Sequence, residues 1–432
     1  MTLLQIIFEV GQRLPVELLL EVFSHCLPVG SETDNFSSDC NMLLLLGKVC
    51  SRWRAIALST PSLWSTLLVH FSSYRPEHTA TMTKTWLNRS GKCPLSLKIR
   101  ENIGNYADRR GSHIHIMVET LIPFCDRLQH LNADVSAQTI YAFTSNKFNF
   151  PRLQSLDLSM FSRHRFEPLL AWSALKNAPQ LRKVHFHHVS YPSTIRLPWM
   201  QLTELSFGDS HSIRPEECLD ILQLCPNLKS CAFYAIDDAF SLVPSFTHVP
   251  VLHHCLRSLH LRSHLSLSTF FDCLTLLALR NIHVGYDSGH SQFISLLTRS
   301  SCHIERFVVD TQLTLHHFLQ CLEIMPQLSE LRIRTYTTSP GLRRLLQRLT
   351  LVGDESLDLC LGLRVINPHQ PYLHEIVSFT PTTDPMRWYV SICTMRQLSV
   401  NGGRCKRWWG EQCLGFLDLE EYCINSVKCA AI

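Results

Sequence analysis

From Arg13 the chain reads RLPVELLLEVFSHCLP. Leu14, Leu18, Val22 and Cys26 recur every fourth residue, with Leu19 and Phe23 beside them. That is an apolar stripe of helical period. Pro15 suits the first turn of such a helix, where its missing N–H costs nothing, and Pro28 stops it. The polar stretch Val29 to Asn41 reads as a loop. A second helical run is predicted from Met42 to Leu46 through Val49, Cys50, Trp53, Ile56 and Ala57, ended by Pro61. Leu63-Trp64 then leads into a strand. By pattern alone this is a small helical bundle.

Beyond it the period shortens. Leu63 to Val69 and Pro94 to Ile99 read as strands flanking a helical stretch that ends in Trp86-Leu87-Asn88-Arg89. A phrase then recurs: an anchor Leu, two residues, an apolar residue, one residue, an apolar residue. Strong copies start at Leu153, Leu181, Leu202, Leu228, Leu256, Leu274, Ile304 and Leu328, and a weaker one at Leu128. The strong anchors fall 18 to 30 residues apart, close to the leucine-rich-repeat range. Pro or Cys often precedes the anchor, and helical patterns fill the intervals, as at Pro215 to Leu224, Gln292 to Leu297 and Leu315 to Ile324. Each unit is therefore expected to be a strand followed by a helix or irregular turn. Stacked units bury each other's apolar faces, which predicts an irregular α/β solenoid, a horseshoe with a concave parallel sheet.

The residues of the first segment carry a resemblance. Leu14-Pro15-x-Glu17-Leu18-Leu19, Val22-Phe23, Val49-Cys50-x-x-Trp53-Arg54 and Pro61-x-Leu63-Trp64 follow in the order of the F-box pattern. The loop from Pro28 to Asn41 is longer than that family usually has. The order of helical segment, short strand, helix and Pro-Leu-Ser-Leu resembles a group of fungal F-box proteins over roughly residues 14 to 350. The expected organisation is an F-box over residues 12–64, a linker with the first strand and helix units over 65–125, a leucine-rich-repeat solenoid over 126–350, and a C-terminal cap or tail over 351–432.

What the resemblance implies is a three-helix segment that docks on the adaptor of an SCF-type cullin–RING ubiquitin ligase. The positions matching its adaptor contacts are Leu14, Pro15, Leu18, Val22, Phe23, Val49, Cys50 and Trp53. The repeats would then tether a protein target, so the partners implied are the adaptor, through it the cullin, and an unidentified substrate. The alternative is a scaffold that holds the adaptor and sends no target to ubiquitination.

Within each repeat strand the residues between the apolar positions face the open surface. His260, Arg262, Arg280, Arg306, Arg332 and Arg334 lie there by that reading, with Asp310 and Glu330 as the only acids from His260 onward. Such a mildly basic face is a candidate site for an acidic or phosphorylated peptide.

Composition narrows the classes. The chain has 432 residues, 45% hydrophobic and 18% charged, with net charge +4. It can bury a large core and gives no electrostatic case for nucleic acid or a membrane surface. Its 18 Cys are scattered without a CxxC pair. With no basic leader before the first apolar run and no run of membrane-spanning length, the expected place is the cytoplasm or nucleus. No GxGxxG, P-loop or GxSxG occurs. Gly208-Asp209-Ser210 and Asp287-Ser288-Gly289-His290 resemble the blocks of a GDSL-type lipase, a remote hydrolase alternative, because the leucine phrase runs through both. Adjacent His pairs on a strand point to opposite faces and chelate poorly, so neither metal nor cofactor is expected, and the chain is not expected to be an enzyme.

Overall fold

The computed structural model describes residues 14–26, 36–72, 74–102, 112–145, 149–161, 173–187, 195–208, 213–236, 250–263, 266–285, 289–309, 315–335, 375–381, 388–396 and 408–414. The chain divides into two compact units, Met1–Leu202 and Thr203–Ile432.

The first unit begins with three helices, α1 (Val16–His25), α2 (Phe36–Val49) and α3 (Ser51–Ser59), and a 3-10 turn, Pro61–Trp64. Two boundaries differ from the sequence expectation. The second helix starts at Phe36, inside the stretch expected to be loop, where Ser37, Ser38 and Asp39 are residue types that favour a helix start. The run expected to be continuous through Cys50 is broken there. Cys50 is extended (φ −157°, ψ 170°), and its sulfur accepts the Trp53 amide, capping α3.

Strands and helices then alternate: β1 (Thr66–Ser72), α4 (Pro76–Arg89), β2 (Leu95–Asn102), α5 (Ser112–Leu121), β3 (Leu128–Ser136), α6 (Ala137–Ser145), β4 (Ser155–Phe161) and β5 (Lys183–His187). Pro76 and Glu77 open α4 and Arg89 closes it, each suited to its end of the helix dipole. The five strands pair in parallel in chain order. Strand alternation places Leu97 and Ile99, Leu131 and Ala133, Leu156 and Leu158, and Val184 and Phe186 in one buried layer. The indole of Trp64 donates to the Ala57 carbonyl at 2.7 Å and meets the Trp86 ring edge-on at 4.6 Å, so the helical segment packs on α4.

The second unit contains β6 (Glu204–Phe207), α7 (Pro215–Leu224), β7 (Ser230–Ile236), β8 (Val251–His253), β9 (Ser258–Ser263), α8 (Ser268–Asp272), β10 (Leu274–Leu276), β11 (Asn281–Gly285), α9 (His290–Ser300), β12 (Arg306–Val309), α10 (Leu315–Ile324) and β13 (Glu330–Thr335). Strands β6, β7, β9, β11, β12 and β13 pair in parallel in that order. Three further strands, β14 (Glu375–Pro381), β15 (Trp388–Arg396) and β16 (Trp408–Leu414), continue this sheet in antiparallel fashion. The small pair β8–β10 stands apart from it.

The apolar positions of the phrase fall in register. Leu205, Cys231, Leu259, Ile282, Phe307 and Leu331 form one cross-strand row. One copy is displaced from where the sequence put it. The strand after Leu256 is anchored by Leu279, in Leu279-Arg-Asn-Ile282-His-Val284, and not by Leu274. Leu274 to Leu276 instead pair with β8, and Leu277 is 45% exposed. Two overlapping phrases satisfy the same leucine spacing, and backbone hydrogen bonding selects between them. In each strand repeat, one carbonyl accepts two successive amides of the next. Lys229 O takes Arg257 N and Ser258 N at 2.8 and 3.0 Å, and Arg257 O takes Arg280 N and Asn281 N at 2.9 and 2.8 Å. Arg280 O takes Glu305 N and Arg306 N at 2.7 and 3.1 Å. Only Leu279 as anchor continues this ladder.

A second device ties neighbouring repeats. Arg299 reaches back to the carbonyls of Phe271 (2.7 Å) and Leu274 (2.6 Å). Arg127 does the same for Leu87, at 3.2 Å, and for Gly91. His253 donates from Nε2 to the Cys225 carbonyl (3.0 Å), while its Nδ1 accepts the amides of Cys255 and Leu256. These bonds bring further donors to carbonyls at and just beyond helix ends.

Candidate functional site

The helical segment has an interior and an unburied apolar face. Leu19, Phe23, Leu43, Leu46, Ile56, Ala57, Leu63 and Trp64 form the interior. The Phe23 ring meets Trp53 edge-to-face, and Arg52 donates to the Leu14 carbonyl at 2.6 Å, locking α3 to the start of α1. Arg54 similarly holds the Gly47 carbonyl at 2.7 Å.

The expected adaptor contacts separate into two groups. Leu18 and Val22, one helical turn apart on α1, are 52% and 43% exposed, Val49 is 49% exposed, and Pro15 is also exposed. Leu14, Cys50 and Trp53 are half-buried. Phe23 is fully buried, so its side chain supports the exposed positions from within. Sequence reasoning missed Val16, Leu44, Leu45 and Leu58, which are exposed as well. Among the described residues, seven of the fifteen exposed large apolar side chains lie between Val16 and Leu58. Such a concentration is the mark of a protein-binding surface.

On the second unit's sheet the expected substrate-face residues divide differently. His260 and His283 are cross-strand partners with ring centroids 3.7 Å apart, and Tyr234 meets His260 at 4.3 Å. Arg262 lies two residues further along the same strand face. Arg280 precedes β11 and is ion-paired to Glu305, because the displaced anchor moves it off the position inferred for it. Arg306 is paired to Glu330, whose carboxylate is buried. Arg332 and Arg334 lie on β13, and their side chains are outside the described residues, as is Asp310. His283 was missed because the Leu274 phrase ends before it.

Of the hydrolase blocks, Asp209, Ser210, Asp287 and Ser288 lie outside the described residues. Gly208 ends the β6 segment, and His290 opens α9 with its ring 4.6 Å from that of His317. Gly289 has a structural reason of its own. Its φ is +107°, and a Cβ there would stand 3.0 Å from Ser268 Oγ and 3.2 Å from Ser268 N.

Eleven cysteines have described side chains, and these are free thiols. Burial pushes Cys125, Cys225 and Cys321 up to about 12, so they are protonated apolar fillers and not nucleophiles. Among the described residues no group of three or more His, Cys, Asp or Glu is placed to hold a metal ion, and no helix is long and apolar enough to cross a membrane.

Residues 12–70 match the model of the F-box-like family, a span that covers α1 to α3 and runs into β1. This domain indicates a protein-interaction role directed at a ubiquitin-ligase adaptor. No curated protein matches the chain.

Proposed function

We propose that this chain is the substrate-receptor subunit of an SCF-type cullin–RING ubiquitin ligase, acting in the cytoplasm or nucleus. The observation that carries the reading is the F-box-like match over residues 12–70 on a segment whose apolar side chains Leu18, Val22 and Val49 remain exposed. On this reading those side chains, with Leu44, Leu45 and Leu58, enter the adaptor's groove as helix anchors. The strand repeats over residues 126–350 then form a leucine-rich-repeat solenoid that holds a target. The chain forms and breaks no bonds. It raises the effective concentration of the target near the charged ubiquitin carrier.

The test is capture of purified adaptor and cullin by the full chain and by L18D/V22D. Both positions are exposed, so the variant keeps its helices and is expected to lose both partners. Adaptor binding equal to that of the unaltered chain overturns the reading. Capture of adaptor and cullin with no change in the half-life of any bound protein on removal of the chain favours the scaffold alternative.

A further inference from the structure

We propose that the strand-start edge of the second unit's sheet is a docking site for a short, carboxylate-rich peptide segment. Lys229, Arg257 and Arg280 occupy one equivalent position in three successive strand repeats. The Arg257 amide donates to the Lys229 carbonyl at 2.8 Å and the Arg280 amide to the Arg257 carbonyl at 2.9 Å, so the three are adjacent rungs of one ladder. All three are exposed. Paired strands lie about 4.8 Å apart, so three cations stand in a row roughly 10 Å long. Among the described residues neither Lys229 nor Arg257 has a side-chain hydrogen bond or ion pair, and like charges side by side on a sheet repel.

The next position on each of the three strands is a neutral hydrogen-bonding residue. Ser230, Ser258 and Asn281 are in register and half-exposed. The row has ends. It stops on one flank at Thr203, whose carbonyl accepts the Lys229 amide, and on the other at Glu305, which binds Arg280. Glu305 also shows the chemistry that the row accepts, a carboxylate. A row of three cations fits two or three neighbouring carboxylates on a short segment. A long polyanion such as a nucleic acid would run onto Glu305. Further along the same strands the contacting rings of Tyr234, His260 and His283 supply aromatic surface for the remainder of the segment.

This deepens the receptor reading by naming the kind of segment a target presents. The experiment is fluorescence anisotropy at low salt with the full chain and two labelled peptides of serine and glycine. One carries three adjacent glutamates at its centre and the other glutamines. The glutamate peptide is expected to bind at least about tenfold tighter, to weaken as salt rises, and to lose about tenfold or more in K229E/R257E. K229Q/R257Q, which adds no new charge, gives a smaller loss in the same direction. Circular dichroism verifies that both variants fold. Equal binding of the two peptides, unchanged affinity in both variants, or equally tight binding of a single-stranded oligonucleotide overturns the proposal. Adaptor capture by the same variants separates the two readings. Lost peptide binding with the adaptor retained supports this site, whereas lost adaptor binding by the chain bearing L18D/V22D concerns only the receptor assignment.

Discussion

The Phe23 ring meets the Trp53 ring edge-on, with centroids 5.1 Å apart and planes at 62°. Two residues that resemble adaptor contacts in sequence are thus each other's packing partners. The contact joins α1 to α3 and holds the turn on which Leu18 and Val22 stand.

Phe23→Ala removes a fully buried ring and is expected to cost about 3–5 kcal/mol of stability. The helical segment loses cooperativity, read as a lowered urea midpoint. Leu18→Ala, at an exposed position, stays within about 0.5 kcal/mol of the unaltered chain, and its effect falls on adaptor capture. Equal destabilisation by the two variants contradicts the division between support and contact.

The run Leu43 to Leu46 gives a sharper contrast. Leu43 is 1% exposed and Leu45 50%. Leu43→Asp places an unpaired carboxylate in the interior and prevents folding of the segment. Leu45→Asp folds normally by circular dichroism and weakens adaptor capture by about tenfold or more. The same substitution two residues apart has opposite consequences.

Arg299→Ala removes the guanidinium donors from the Phe271 and Leu274 carbonyls and is expected to cost about 1–3 kcal/mol. Arg299→Lys recovers little of this, since a single ammonium cannot reproduce the guanidinium fork. Hydrogen exchange of the β10 amides reads the effect locally. An exchange pattern unchanged in both variants would show that the clasp contributes nothing.

The pH dependence centres on His253. Burial pushes its imidazole below the ordinary value of 6.5, donation to the Cys225 carbonyl partly opposes this, and His254 lowers it further. Protonation would also abolish the Nδ1 lone pair that accepts the Cys255 and Leu256 amides. His70 and His130 shift downward too, first by burial and then through Arg100 and Lys183 respectively. Because the folded state resists protonation, this contribution is complete above 6.5. It is lost as pH falls from there through the folded value. Urea midpoints are expected to drop as pH falls below 6.5, and His253→Gln to make the slope shallower. An identical slope in that variant would place the loss in other groups.

The helical segment was legible because its sub-motifs combine Pro, Trp and spaced apolar residues that few other structures require in that order. The strand repeats were legible from period alone, since alternation dictates which residues of a strand share a face. The candidate binding residues were only partly legible. Exposure on the first helix depends on which turns α3 covers, and Phe23 and Val22 are adjacent apolar residues that the sequence does not rank.

By itself the sequence determined that strands and helices alternate after an N-terminal helical segment, and that Leu, Val and Phe at phrase positions are buried. Tertiary structure alone decided three things. It set the phase of Leu43 to Leu46, where four apolar residues in a row carry no period to read. It chose Leu279 over Leu274 as anchor, because a backbone ladder with Arg257 is a contact between distant residues. It also aligned Lys229, Arg257 and Arg280, whose separations along the chain differ and whose equivalence exists only once the strands pair.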